Sequence, residues 1–366
     1  MRSEIGEQPA VLAATLQRLA APAAAVATAM RRRAIPFAVV AGRGSSSHAG
    51  QYGRYLLEIG NGVPVVEAAP SVMTAYGARP GWGEAALIGI SQSGRVPEVV
   101  RLVAIARGVG ALTVGLTNDP DSPLASAAEF TLVTQAGQET SVPATKTYTS
   151  ALLTLAMLSA RLGPDAGRSP AGAAGDASTP VHPLEGLAAD DLAGVPQAAL
   201  RVLGQERRLA SVGRSMRDTT RCLVVGSGFN RSSAFEMALK LQETGYVLAQ
   251  AHDAADLLHG PLAVLERGFR VIGLVRGGPT CPGVIEALRR AHERGARTLV
   301  ISDGDVDEAA LDGLCDERMD LDSGLSEPLS PIGFAIAGQL LALHVALSKG
   351  LVPEVPRALQ KVTVTG

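Results

Sequence analysis

Residues 85–99 read Ala85-Ala86-Leu87-Ile88-Gly89-Ile90-Ser91-Gln92-Ser93-Gly94-Arg95-Val96-Pro97-Glu98-Val99. Ala85 to Ile90 is a short apolar run of the kind that forms a buried strand of a parallel sheet. It gives way to Ser91-Gln92-Ser93-Gly94. Pro97 then suits the first turn of a helix, which the periodic apolar residues from Val99 to Ala106 continue. Strand, hydroxyl-rich turn and helix N-terminus together make a place for an anion. The free N–H groups and the positive dipole end face it, and serine hydroxyls add neutral donors. Gly94 lets the backbone come close. In isolation the same residues also suit an ordinary polar turn with an N-cap, so the rest of the chain has to decide.

The rest of the chain is twinned. Leu223-Val224-Val225-Gly226-Ser227-Gly228 matches Val39-Val40-Ala41-Gly42-Arg43-Gly44 at an offset of 184, and Ile272-Gly273-Leu274 matches Ile88-Gly89-Ile90 at the same offset. Leu299-Val300-Ile301 repeats Val114-Gly115-Leu116 at 185, and Glu327 with Pro331 echoes Glu139 with Pro143 at 188. A nearly constant offset over four elements marks two copies of one unit. Within each copy, short apolar strands alternate with helical runs, which predicts an α/β fold with a parallel, doubly wound sheet flanked by helices. Ligands of such sheets sit at the carboxyl ends of the strands.

The first copy is expected to hold strands near 37–41, 63–67, 85–90, 111–117 and 130–134, with helices over 8–30 (broken near Pro22), 49–59 and 149–161. Residues 163–180 are rich in Gly, Ala, Pro, Ser and Asp without a periodic apolar face, and read as a partly flexible linker. The copies differ at the hydroxyl-rich turn: Ser91-Gln92-Ser93-Gly94 becomes Val275-Arg276-Gly277-Gly278. That asymmetry favours a ligand site in the first copy.

The bulk properties narrow the class. The chain has 366 residues, 46% of them hydrophobic, and a formal net charge of −2. That is ample for a core and gives no basic field for nucleic acid. Cys222, Cys281 and Cys315 are odd in number and widely spaced, which suits reduced thiols in a cytosolic, cytoplasmic protein. Glu4 and Glu7 precede any apolar stretch, against a signal peptide. The apolar runs near 151–160 and 332–347 fall short of the ~20 residues of a membrane span, so no membrane partner is expected.

Candidate chemistry lies mostly in the second copy. Glu236, Lys240 and Glu243 fall at i, i+4 and i+7 of one helix and share a face. They read either as a solvated ion-pair stripe or as a carboxylate base beside an ammonium that keeps it ionised. His259, in Leu258-His259-Gly260-Pro261, reads as a structural histidine or a general acid–base. His252, Asp253, Asp256 and His259 match no metal-ligand spacing, so no metal is expected. Arg357 and Lys361 place two cations at i and i+4 of the final residues, an inert tail or, if desolvated, a reactive amine.

Together these residues resemble the SIS (sugar isomerase) domain family, and within it the isomerase half of the glucosamine-6-phosphate synthases and the synthase-like glucosamine-6-phosphate deaminases. The likeness runs through Glu4-Ile5-Gly6-Glu7-Gln8-Pro9, Gly42-Arg43-Gly44-Ser45-Ser46, Ser91-Gln92-Ser93-Gly94 and the Glu139–Lys146 loop. It continues through Glu236 to Glu243, Leu258-His259-Gly260-Pro261-Leu262 and Pro356 to Lys361. The resemblance implies two tandem SIS domains: 1–165 with the phosphosugar site, a 166–200 linker, 201–350 with the proton-moving groups, and a 351–366 tail entering the active site. It implies that Ser45, Ser46, Ser91, Gln92 and Ser93 hold a sugar phosphate and that Val142 lines the sugar. Glu243 would shuttle a proton between C1 and C2, tuned by Lys240. His259 would assist ring opening from the partner subunit of a homodimer with shared active sites. Lys361 would supply an imine-forming amine on a tail braced by Arg357. No cofactor is implied.

Two departures bear on activity. Residue 2 is Arg2 and the isomerase-like stretch begins at once, without the synthases' glutaminase domain and its nucleophilic cysteine. The expected direction is therefore deamination: glucosamine 6-phosphate and water to fructose 6-phosphate and ammonia. Arg95-Val96 also stands where the family has Glu-Thr, so one phosphate-donating hydroxyl is absent. The alternatives are a phosphosugar isomerase without deamination and a non-catalytic sugar-phosphate-binding regulator.

Overall fold

The computed structural model describes residues 1–164, 187 and 189–361. The described chain forms two compact units. One holds Val11–Gln138 and the described part of Ser150–Ala193; the other holds Met1–Ala10, Glu139–Thr149 and Gly194–Lys361.

The first unit is built on a five-stranded parallel sheet of β1 (Ala38–Ala41), β2 (Val65–Glu67), β3 (Ala86–Ile90), β4 (Leu112–Thr117) and β5 (Phe130–Val133), in the order β2-β1-β3-β4-β5. The second unit repeats it with β6 (Arg221–Val225), β7 (Leu248–His252), β8 (Arg270–Arg276), β9 (Arg297–Asp303) and β10 (Glu317–Asp320), in the order β10-β9-β8-β6-β7. Read from the second strand of each copy the two orders are the same, so the internal repeat is a repeat of topology. In both, chain direction across the sheet reverses between the first and third strands. That is the switch point where doubly wound sheets open a crevice at their carboxyl ends.

Matching glycines close each copy. Gly89 on β3 faces the helix Pro97–Gly108, where a Cβ would meet Val103 Cγ2 at 2.6 Å. Gly273 on β8 faces Cys281–Glu293, where a Cβ would meet Leu288 Cδ1 at 2.6 Å. Around these contacts Leu87, Val99, Leu102 and Leu124 form one core, and Val225, Leu257, Val271, Val284 and Val300 the other.

Three expectations are corrected. The helix Gln8–Arg32 runs unbroken through Pro22. The alanines around the proline favour helix, and Leu19, Ala23, Val26, Ala27 and Met30 are buried along it, so packing overrides the lost hydrogen bond. The stretch 166–200 is not all linker, since helices Ala189–Ala193 and Val195–Gly204 occupy its end and Val195, Ala198, Ala199 and Val202 are buried. Residues 166–186 and 188 of that expectation lie outside the described residues. The apolar run at 332–347 belongs to a segment, Glu327–Ser348, that does reach spanning length, as does Gln8–Arg32 by length and composition. The Glu327–Ser348 segment is almost wholly buried, as a core helix is, and packs against Arg231–Gly245 and Glu206–Ser215.

Pro22 sits in a helix that would form without it. Pro22→Ala should therefore raise the unfolding free energy by about 1–3 kcal/mol in a denaturant titration. A loss of stability would show instead that the proline shapes how the helix packs.

Candidate active site

In the first unit the hydroxyls converge on the switch point. The helix after β1 starts at Ser45, earlier than the expected 49, so Ser45, Ser46 and Ser47 make its first turn. It starts there because Gly42 brings the chain hard against that turn: a Cβ at Gly42 would meet the Ser46 backbone at 2.7 Å. The Ser91-Gln92-Ser93-Gly94 turn leaves the adjacent strand β3. Ser91 N–H donates to Leu116 O (3.0 Å), Asn118 N–H donates to Gln92 O (3.0 Å), and Gly94 N–H donates to Ser91 O (3.0 Å). Gly94 has φ +62°, and Ser122 fills the space a side chain would need. With the turn so fixed, the Ser91 hydroxyl is buried and has no hydrogen-bond partner among the described residues. Arg95 turns its charge to Asp119, at 2.9 Å.

In the second unit the helix Arg231–Gly245 carries Glu236, Lys240 and Glu243. The solvated-stripe alternative fails here. Lys240 is 1% exposed, with Nζ 2.6 Å from Glu243 Oε2 and 3.3 Å from Glu236 Oε1. Burial works against its ammonium, but the Glu236 and Glu243 carboxylates outweigh burial and hold its pKa above the usual lysine value. Glu236 is as sealed as the lysine, whereas the Glu243 side chain is 18% exposed and is the open end of the triad.

The tail is fastened within the same unit. Val142 N–H donates to Glu354 O (3.1 Å), so the residue expected to line a sugar also pairs its backbone with the tail. Arg357 N–H donates to Tyr246 Oη (2.9 Å), and its guanidinium stacks 4.2 Å from the Tyr246 ring centre. Tyr246 ends the Glu243 helix in a left-handed conformation, φ +51°. Lys361 Nζ lies 2.6 Å from Glu139 Oε2. His259 is exposed just past the short helix Ala254–Leu258, and its ring makes no hydrogen bond among the described residues. Asp253 caps that helix, its Oδ1 accepting Ala255 N–H (3.0 Å). Burial, with Asp256 opposing, lowers the pKa of His252.

Sequence reasoning gave no role to Glu139 or Tyr246. The repeat of Glu139 at Glu327 and the aromatic directly after a helix-ending glycine were the available signals.

The SIS domain family matches residues 37–161 and 215–349, and the chain belongs to it. A glutamine–fructose-6-phosphate aminotransferase (isomerizing) of Aeropyrum pernix is 32% identical over 370 residues, covering 100% of this chain and 57% of the relative. The chain thus spans little more than half of that relative. A phosphosugar isomerase, so titled provisionally, from Silicibacter pomeroyi superposes with a TM-score of 0.79 at 28% identity, over 96% of this chain and 99% of that one. The C-terminal domain of glucosamine-fructose-6-phosphate aminotransferase from Francisella tularensis shares the fold, with a TM-score of 0.81 at 22% identity over 96% of this chain and 97% of that one.

Removing the buried ammonium should take from Glu236 the countercharge that lies 3.3 Å away. Lys240→Met is expected to lower stability by about 3–5 kcal/mol in denaturant titrations, with Glu236→Gln in the same chain restoring part of it. A loss under about 1 kcal/mol would mean that water reaches the carboxylates.

Proposed function

We propose that the chain isomerises and deaminates an amino-sugar phosphate, with glucosamine 6-phosphate and water giving fructose 6-phosphate and ammonia. The observation that carries this reading is the sealed Lys240 ammonium 2.6 Å from Glu243, the carboxylate at the open end of a buried triad. Such a group suits proton transfer between adjacent carbons. The Ser91 hydroxyl, with Ser45, Ser46, Gln92 and Ser93 on the neighbouring strand ends of its own sheet, suits the phosphate.

In the open-chain aldose, Glu243 takes the proton from C2 and returns it to C1. The C2 amine becomes a ketimine and C1 becomes a hydroxymethyl group. Lys361 then exchanges with ammonia at C2, and water hydrolyses the resulting imine to release the ketose. The amine is what separates this reading from an isomerase without nitrogen chemistry, which has no use for one. Arg357, stacked on Tyr246, holds the tail that carries it. His259 serves ring opening in a partner's site within a homodimer, a role for which its exposure suits it.

The test is ammonia release across a panel of sugar and amino-sugar phosphates. Glucosamine 6-phosphate should yield ammonia and fructose 6-phosphate in equal amounts. Glu243→Gln should lower kcat by about 10²–10⁴-fold, and Ser91→Ala should raise KM while leaving the melting temperature unchanged or higher. Turnover of nitrogen-free sugar phosphates alone would establish the plain isomerase. Tight sugar-phosphate binding without any turnover would establish a regulator.

A further inference from the structure

Lys361 is not free in the resting chain. Its amine is engaged by Glu139, whose side chain is 0% exposed. The carboxylate has four other donors. Its Oε1 accepts Thr145 N–H (3.0 Å), Thr145 Oγ1 (2.9 Å) and Thr147 N–H (3.1 Å), and its Oε2 accepts Thr147 Oγ1 (2.8 Å). Burial alone would raise the Glu139 pKa, but Lys361 and these donors bring it below the ordinary value.

Most buried ion pairs resist opening, because loss of one partner strands the other charge. Glu139 differs in that all four loop donors remain when the lysine leaves. The loop itself is pinned. Glu4 Oε1 accepts Thr140 N–H (2.6 Å) and Ser141 N–H (3.1 Å), Lys146 Nζ lies 2.6 Å from Glu7, and Thr149 Oγ1 donates to Gln8 Oε1 (2.7 Å). Beyond Arg357, which Tyr246 holds, the tail side is slighter: irregular backbone, Ala358 at φ +59°, and a Lys361 side chain 22% exposed. A rigid acceptor that stays solvated when vacated, facing a lightly held amine, is a contact made to be opened.

We propose that Glu139 is a parking site for the Lys361 amine, which closes the tail in the empty enzyme and competes with substrate for the lysine. The proposal rests on the reading that Lys361 forms an imine. Approached from the ketose phosphate, the reverse of the hydrolysis above, the Lys361 ammonium gives one proton to solvent, its amine adds to the C2 carbonyl, and the two remaining N–H protons leave with the carbonyl oxygen as water.

Two readouts on the full chain test it. The first is tryptic cleavage after Arg357 in the absence of sugar, followed by mass spectrometry. The second is the initial rate of borohydride trapping of fructose 6-phosphate on Lys361. Glu139→Gln should raise both by roughly three- to tenfold, the range of a partly exposed charged hydrogen bond. Equal cleavage of parent and variant overturns the parking site even if trapping proceeds in both, and the imine reading then survives. Absence of trapping in the parent overturns both the imine reading and the parking role, even if cleavage differs, and reduces Glu139 to an anchor. Should Glu139→Gln not melt cooperatively, Lys361→Met opens the same contact from the tail. Faster cleavage after Arg357 supports the proposal, and unchanged cleavage overturns it.

Discussion

A carboxylate sealed from water has to be solvated by the protein around it, and that demand organises the unit carrying the second sheet. Glu139 gathers Thr145, Thr147 and Lys361. Glu4 gathers Thr140 and Ser141, and Lys146 finds Glu7. Gln339, from the buried Ser330–Ser348 helix, donates to Thr145 O and accepts from Gln8. These bonds join three segments far apart in sequence: residues 1–10, 139–149 and the tail to 361. Stranding a buried charge costs about 3–5 kcal/mol, a cost the threonine donors spare Glu139 when Lys361 leaves and that their own loss would impose. Set against a whole-domain stability of about 5–15 kcal/mol, a few such contacts decide where these segments lie. Non-directional apolar burial could not choose among registers so sharply.

The parallel sheets were legible because their signals are local. A short apolar run, a glycine-bearing turn and a helical period recur twice at one offset, and the two sheets have one topology. The unusual turn was legible through contrast with its second copy. Less legible was what depends on burial. Glu236, Lys240 and Glu243 at helical spacing look the same on paper whether water or protein surrounds them; only the packed helix shows the lysine to be sealed. The Glu139–Thr149 segment follows the first sheet in sequence yet clusters with the second. Its partners lie at 4, 7, 8, 339, 354 and 361, separations that no local pattern encodes. Pro22 misled for the opposite reason: its local rule is strong, and long-range packing overrode it.

The two sheets differ at their switch points in what they could offer an anion. The counterpart of Ser91 is Val275, buried and without a donor. Next to it, where Gln92 stands in the first copy, Arg276 folds back over its own strand ends. Its Nη1 donates to Asp303 O (3.1 Å) and its Nη2 to Leu325 O (2.8 Å). Gly304, at φ +70°, leaves its side-chain space to the guanidinium. Asp303 is buried at the same strand ends, its carboxylate accepting Ser323 N–H (2.9 Å) and Ser323 Oγ (2.6 Å). A phosphate at that crevice would meet a cation already committed to backbone carbonyls, a carboxylate of its own sign and an apolar side chain. In the second copy the helix that follows the first strand carries Glu236, Lys240 and Glu243. The equivalent helix of the first copy instead begins with Ser45, Ser46 and Ser47. The same helix of the repeated fold therefore presents hydroxyls at its start in one copy and a buried carboxylate–ammonium–carboxylate triad along its length in the other.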